Sequence, residues 1–121
     1  ELPGTYIYLS RAGVYTKYDR DINELSSASC IYKVRDICIV LVDNNKWRKQ
    51  KALSPLHVDY AYICRGFYGS VADLKRLFQI KQVVLDISLE DSYREKLKRE
   101  CEIYGLNYID MSEKGSYAIL L

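Results

Sequence analysis

Residues 59–88 read DYAYICRGFYGSVADLKRLFQIKQVVLDIS, and this stretch decides the fold. Asp59–Cys64 is a short aromatic and β-branched run, which suits a strand. Gly66–Gly69 is a loop. Ser70 is placed to cap a helix over Val71–Gln79, because its hydroxyl can accept a free amide of the first turn. Val71, Leu74, Leu77 and Phe78 form the apolar stripe of that helix. Gln82–Ile87 reads as another buried strand. Strand, helix and strand in about 30 residues is a βαβ unit, whose crossover gives parallel strands.

The pattern extends in both directions. Downstream, Ser88 is expected to cap a second helix, with Asp91 three residues on, running to about Tyr104 and stopped by Gly105. Leu89, Tyr93, Leu97, Cys101 and Tyr104 share one face of it. Asn107–Ile109 and Ser116–Leu120 read as closing strands around a Glu113-Lys114-Gly115 turn. Upstream, Ile37–Val42 is apolar throughout, as a strand buried on both faces requires. Ser29–Val34 alternates and pairs with it across the polar Arg35-Asp36 break. Asp19–Ser29 is polar and reads as a loop. Thr5–Leu9 and Val14–Tyr18 flank a turn at Arg11-Ala12-Gly13. The expected fold class is therefore α/β: a mixed sheet, antiparallel at its N-terminal side, followed by βαβαβ.

Composition narrows the function classes. The 121 residues are the size of one domain. Eighteen basic and 16 acidic residues leave a net charge of +2, which argues against a protein coated in nucleic acid. The longest apolar run, Ile37–Val42, falls far short of the roughly 20 residues that span a bilayer. The chain opens Glu1-Leu2-Pro3-Gly4 with neither Met nor signal peptide, so the expectation is a single soluble domain, residues 1–121, from a longer protein. Tyrosine is abundant, at 12 residues. Half-buried sheet faces account for it; a stacking platform for bases is the sharper alternative. Cys30, Cys38, Cys64 and Cys101 form no CxxC pair and fit core packing.

Four places carry chemistry-bearing residues. Arg65-Gly66-Phe67-Tyr68-Gly69-Ser70 joins a strand to a helix start, with two glycines for close backbone approach and one cation. These are the parts of a phosphate site, although an ordinary tight turn needs the same glycines. Asn44–Lys51 interleaves Lys46, Arg48 and Lys49 with Trp47, which suits a nucleic-acid backbone and one stacked base, or a solvated loop. The lone His57, in a loop after Pro55, and the scattered Asp43, Asp59 and Asp86 make a poor metal set. Cys64 sits at a strand end beside Arg65, yet His57 has no route to it as a base.

The order of pieces also resembles a known family. Ile39-Val40-Leu41-Val42-Asp43, then Cys64-Arg65-Gly66, Val83-Val84-Leu85-Asp86, Glu102-Ile103-Tyr104-Gly105-Leu106, Tyr108-Ile109-Asp110 and Glu113–Ile119 follow one another as in the C-terminal half of the metallo-β-lactamase-like domain that ends ComEC-type competence proteins. The resemblance covers residues 30–120 and implies half of an αβ/βα fold. It departs from the active family where that family has His-His-Gly-Ser: here stand Cys64-Arg65-Gly66-Phe67. A later family histidine has no counterpart around Ser88–Ser92, and no His-x-His-x-Asp-His motif is present. Asp43 and Cys64 remain as vestigial ligand candidates. The resemblance implies a degenerate, non-catalytic domain without cofactor. Its parent would be an inner-membrane channel for single-stranded DNA, with this domain on the extracytoplasmic side. The partners implied are the rest of the parent and single-stranded DNA, with no small-molecule substrate. Arg65, Gly66, Gly69 and Ser70, with Lys46, Trp47, Arg48 and Lys49, are the expected DNA contacts. Two rivals stand beside this: a metal-dependent nuclease half completed by upstream ligands, and a purely structural domain.

Overall fold

The computed structural model describes residues 6–10, 13–16, 22–26, 31–45, 54–112 and 117–120. Its strands are β1 (Tyr6–Ser10), β2 (Gly13–Thr16), β3 (Ile22–Ser26), β4 (Ile31–Val34), β5 (Ile37–Val42), β6 (Leu56–Ile63), β7 (Phe78–Leu85), β8 (Asn107–Asp110) and β9 (Tyr117–Leu120). Two helices, α1 (Val71–Lys75) and α2 (Asp91–Tyr104), lie in the crossovers flanking β7.

Six strands make one sheet in the order β3-β4-β5-β6-β7-β8. The β3, β4 and β5 pairings are antiparallel, and β5 through β8 are parallel. The mixed α/β class expected from the sequence is thus the observed one. β5 lies inside the sheet, and its apolar run splits by alternation. Cys38, Val40 and Val42 face the helices with Ala61, Ile63, Val83 and Leu85. Ile39 and Leu41 face the other way with Tyr62, Cys64 and Val84. Both faces are covered, which is why no polar residue interrupts the strand.

The three remaining strands form a second sheet, β2-β1-β9, antiparallel throughout. Ile119 of β9 is buried against the Ile39, Leu41 and Tyr62 face of the large sheet. The closing strand therefore does not continue beside β8. It returns to pair with β1, Tyr6 opposite Leu120.

Several local expectations are corrected. The polar segment 19–29 contains a strand, β3, whose Ile22, Asn23 and Glu24 pair with Val34, Lys33 and Tyr32 of β4. The first helix is short: Arg76 is its C-cap, and β7 begins at Phe78 instead of Gln82. From Phe78 the burial pattern alternates, with Phe78 in, Gln79 out, Ile80 half-buried and Lys81 out. That period of two, with Phe78 paired to Leu56, outweighs the helical spacing of Leu77 and Phe78. His57 lies within β6, not in a loop, although its side chain is exposed.

Helix α2 starts at Asp91, with Glu90 as an N-cap that makes no side-chain capping bond. Ser88 is not the cap; its N–H donates to Asp86 and its hydroxyl accepts from the Arg65 amide. Gly105 ends the helix at φ 70°, as expected. On the buried face stands an unanticipated residue, Arg94, only 5% exposed. Its guanidinium donates to the carbonyls of Ile87 (3.0 Å) and Leu89 (2.6 Å) and to Asp91 (2.8 Å). Its Nε makes no hydrogen bond but lies 3.4 Å from Asp110 of β8. Lys98 reaches the same carboxylate at 2.5 Å. One arginine thus ties the β7–α2 turn, the helix and the edge strand together.

Two measurements test this tie. Arg94→Ala strands the carbonyls of Ile87 and Leu89, the latter buried, and leaves Asp110 with one cation fewer, and is expected to cost on the order of 3 kcal/mol in urea denaturation. Burial pushes the Asp110 carboxyl up, but Lys98, the Ser112 amide and Arg94 together hold it below its ordinary 3.8. A depressed folded value means stability present above the unfolded value and lost as pH falls through the folded one. Asp110→Asn is therefore expected to lower stability at neutral pH and to flatten its decline below about pH 4.

Candidate nucleic-acid interface

The C-terminal ends of β5, β6 and β7 lie side by side, where open α/β sheets place their sites. Asp43 follows β5, Cys64-Arg65-Gly66 follow β6, and Asp86-Ile87-Ser88 follow β7. Backbone bonds hold this rim level: Cys64 N to Val42 O, Asp86 N to Ile63 O and Met111 N to Leu85 O, each 2.9 Å.

Gly66 is where the turn is decided. Its φ is +118°, and a Cβ there would lie 2.0 Å from the Asp43 carbonyl oxygen. No side chain fits, so only glycine lets the turn pass over the end of β5. The turn is then fastened at both sides. Arg65 N donates to Ser88 Oγ at 3.0 Å, and Tyr68 N donates to Asn45 Oδ1 at 2.8 Å.

Gly69 and Ser70 open α1, and its amides are already engaged. Ser70 N donates to Asp73 Oδ2 (2.9 Å), Val71 N to Glu100 Oε1 (2.8 Å) and Asp73 N to Ser70 Oγ (3.2 Å). Ser70 and Asp73 form a reciprocal capping box. The Gly69 carbonyl accepts from the Tyr93 hydroxyl at 2.6 Å. Two of the chain's own carboxylates therefore sit where a phosphate was expected, and an incoming phosphate would have to displace them. Arg65 differs: it is exposed, and among the described residues no carboxylate lies within ion-pair distance of it.

Around Arg65 lies a shallow groove of about 80 Å³ lined by Arg65, Phe67, Tyr68, Leu89, Glu90 and Tyr93. Phe67 is fully buried and forms its floor, whereas Tyr68 is 52% exposed. The Tyr68 and Tyr93 rings lie 6.2 Å apart at 45°. Tyr68, Leu89, Glu90 and Tyr93 are groove residues that lie beyond the site expected from the sequence. Tyr68 was visible there as an aromatic inside the turn; the others come from the far side of the α2 junction, which only the fold brings near.

The residues do not suit a metal. Asp86 is buried, with one carboxylate oxygen accepting from the Tyr62 hydroxyl (2.5 Å) and the other from the Ser88 amide (3.0 Å). Burial, then this hydrogen bond, pushes the Tyr62 phenol well above its ordinary value. Cys64 is fully buried. Asp43 is half-buried and accepts from the Asn44 side chain at 3.1 Å. Asp59 is not at this rim but in β6 itself, where it accepts from the Cys38 amide. His57, near the start of β6, is separated from Cys64 by roughly 23 Å of strand at 3.3 Å per residue, too far to serve as its base. No group of three His, Cys, Asp or Glu able to hold a metal occurs among the described residues. Lys46, Trp47, Arg48 and Lys49, the second expected contact, lie outside the described residues.

Among the described residues no helix is long and apolar enough to cross a membrane. The family model of the ComEC C-terminal domain matches residues 5–121. No curated protein and no solved structure matches the chain.

The geometry at Gly66 has a measurable signature. Gly66→Ala is expected to cost about 3 kcal/mol or more, because a clash with backbone adds to the left-handed strain. Gly105→Ala, at a positive φ but with nothing within 4 Å of the new Cβ, is expected to cost only about 1 kcal/mol in the same urea denaturation.

Proposed function

The chain belongs to the ComEC C-terminal domain family, and from that premise we propose that it is a non-catalytic module that contacts single-stranded DNA. Membership ties it to competence DNA uptake and to a larger membrane-protein parent. The finer reading is that the domain lies on the extracytoplasmic side of the parent and guides the strand into the channel.

One observation carries the DNA contact. At the strand-end rim, Arg65 is an exposed cation with no ion-pair partner among the described residues, beside a groove walled by aromatic rings. Basic and aromatic groups side by side are what a sequence-tolerant single-strand binder needs: charge for the backbone and a π-face for bases. The non-catalytic half rests on the acids. Asp86 is closed by Tyr62 and Ser88, and Cys64 is buried, so neither is free to hold an activating cation. Lys46, Trp47, Arg48 and Lys49, following Asn45 in sequence, are the proposed second patch.

Fluorescence anisotropy of the chain with a labelled single-stranded oligonucleotide tests the contact. Affinity is expected to fall steeply as salt rises. Arg65→Ala is expected to weaken binding several-fold and to lower the salt slope by about 0.7, the value of one single-strand phosphate contact. Lys49→Ala is expected to act in the same direction. No binding at low salt by chain shown folded by circular dichroism would leave a purely structural domain.

A further inference from the structure

We infer that the groove between Arg65 and Glu90 is a slot for one unstacked nucleobase, and that it favours bases carrying an exocyclic amino group over thymine. This rests on the proposed single-strand contact and assigns its chemistry.

The slot is built before any ligand arrives. Tyr93 is held by its hydroxyl bond to the Gly69 carbonyl, and Lys96 stands 5.5 Å from the centre of its ring. Tyr68 is held through its amide by Asn45. The two rings are tilted at 45° and packed on each other, so a base does not insert between them. What remains open is the exposed ring of Tyr68, above Leu89 and Phe67. That is a single stacking surface with an apolar floor, fitted to a flat aromatic ligand.

The rim carries one charge of each sign. Arg65 offers only donors, and Glu90 offers only acceptors. Glu90 is exposed and spends no side-chain bond on capping α2. A carboxylate beside a DNA groove repels phosphates, so it is out of place in a purely electrostatic surface. It has a use against a base edge, because the amino groups of adenine, cytosine and guanine donate to it, whereas thymine offers only an imide N–H flanked by two carbonyl oxygens that a carboxylate repels. The complementarity therefore fits a nucleotide whose phosphate lies at Arg65, whose ring lies on Tyr68 and whose amino edge meets Glu90. An apolar protein segment would satisfy Tyr68 and Leu89 but neither charge.

Anisotropy with three oligonucleotides of equal length tests this: oligo-dC, oligo-dT and an abasic strand with the same phosphates. Oligo-dC is expected to bind more tightly than oligo-dT, and both more tightly than the abasic strand. Tyr68→Ala is expected to weaken oligo-dC about tenfold, the effect of losing one stacked base, without changing the abasic strand. Tyr68→Phe keeps the ring and is expected to restore oligo-dC binding. Glu90→Gln removes a repelling charge and so raises affinity generally, but it is expected to collapse the ratio of oligo-dC to oligo-dT toward one. If Tyr68→Ala leaves oligo-dC unchanged, or if all three strands bind alike while Arg65→Ala weakens each, the slot is overturned and the backbone contact survives. If none of the three binds, both fall together.

Discussion

The Asp43 carbonyl occupies the place where a side chain at residue 66 would be. Everything at the rim depends on that contact. With Gly66 folded over the end of β5, Arg65 comes under Ser88 and Tyr68 comes beside Asn45. Three consecutive strand ends are then fixed by main-chain and short side-chain bonds, without help from long flexible groups. Arg65, Tyr68 and Glu90 are then presented to solvent from the backbone so fixed. Precise presentation of a few side chains costs little entropy when the backbone beneath them is immobile.

The second governing feature is internal charge matching. Asp73 and Glu100 take amides at the start of α1, and Asp110 faces both Arg94 and Lys98. Orphan amides of a helix start attract any anion, and here the chain supplies its own. The same βα turn that resembles a phosphate cradle in sequence is therefore closed at its amide end and open only at Arg65. In the proposed DNA contact, phosphate recognition therefore rests on a side chain instead of backbone amides, which makes it weaker, less directional and more salt-sensitive.

Legibility followed the physical range of each signal. The run Ile37–Val42 announced a doubly buried strand because burial on both faces leaves no polar period. Ser70 and Gly105 announced their caps because capping is decided within four residues. β3 was hidden, since Asn23, Glu24 and Ser26 break up the apolar period that would announce a strand. Arg94 was hidden because the apolar helix stripe gives no hint that two carbonyls of a preceding turn need a donor there. The groove was half visible: Arg65 and the glycines lie in one loop, but Leu89, Glu90 and Tyr93 arrive from the other side of β7. The return of β9 to β1 could not be read at all, because β pairing carries no address across a hundred residues.

That return has a consequence for how the chain is put together. Pairing Tyr6 with Leu120 closes nearly the whole chain into a single loop, while every β5-to-β8 pairing spans far fewer residues. Closing so long a loop costs entropy that only an assembled large sheet can offset, through Ile119 settling on its exposed face. The large sheet is thus the template and the small sheet the latch. In a chain delivered from its N-terminus, β1 and β2 can pair as a two-stranded ribbon, but the other edge of β1 stays open until β9 has emerged. Any partner that reaches that ribbon first competes with the chain's own ending for the same row of hydrogen bonds.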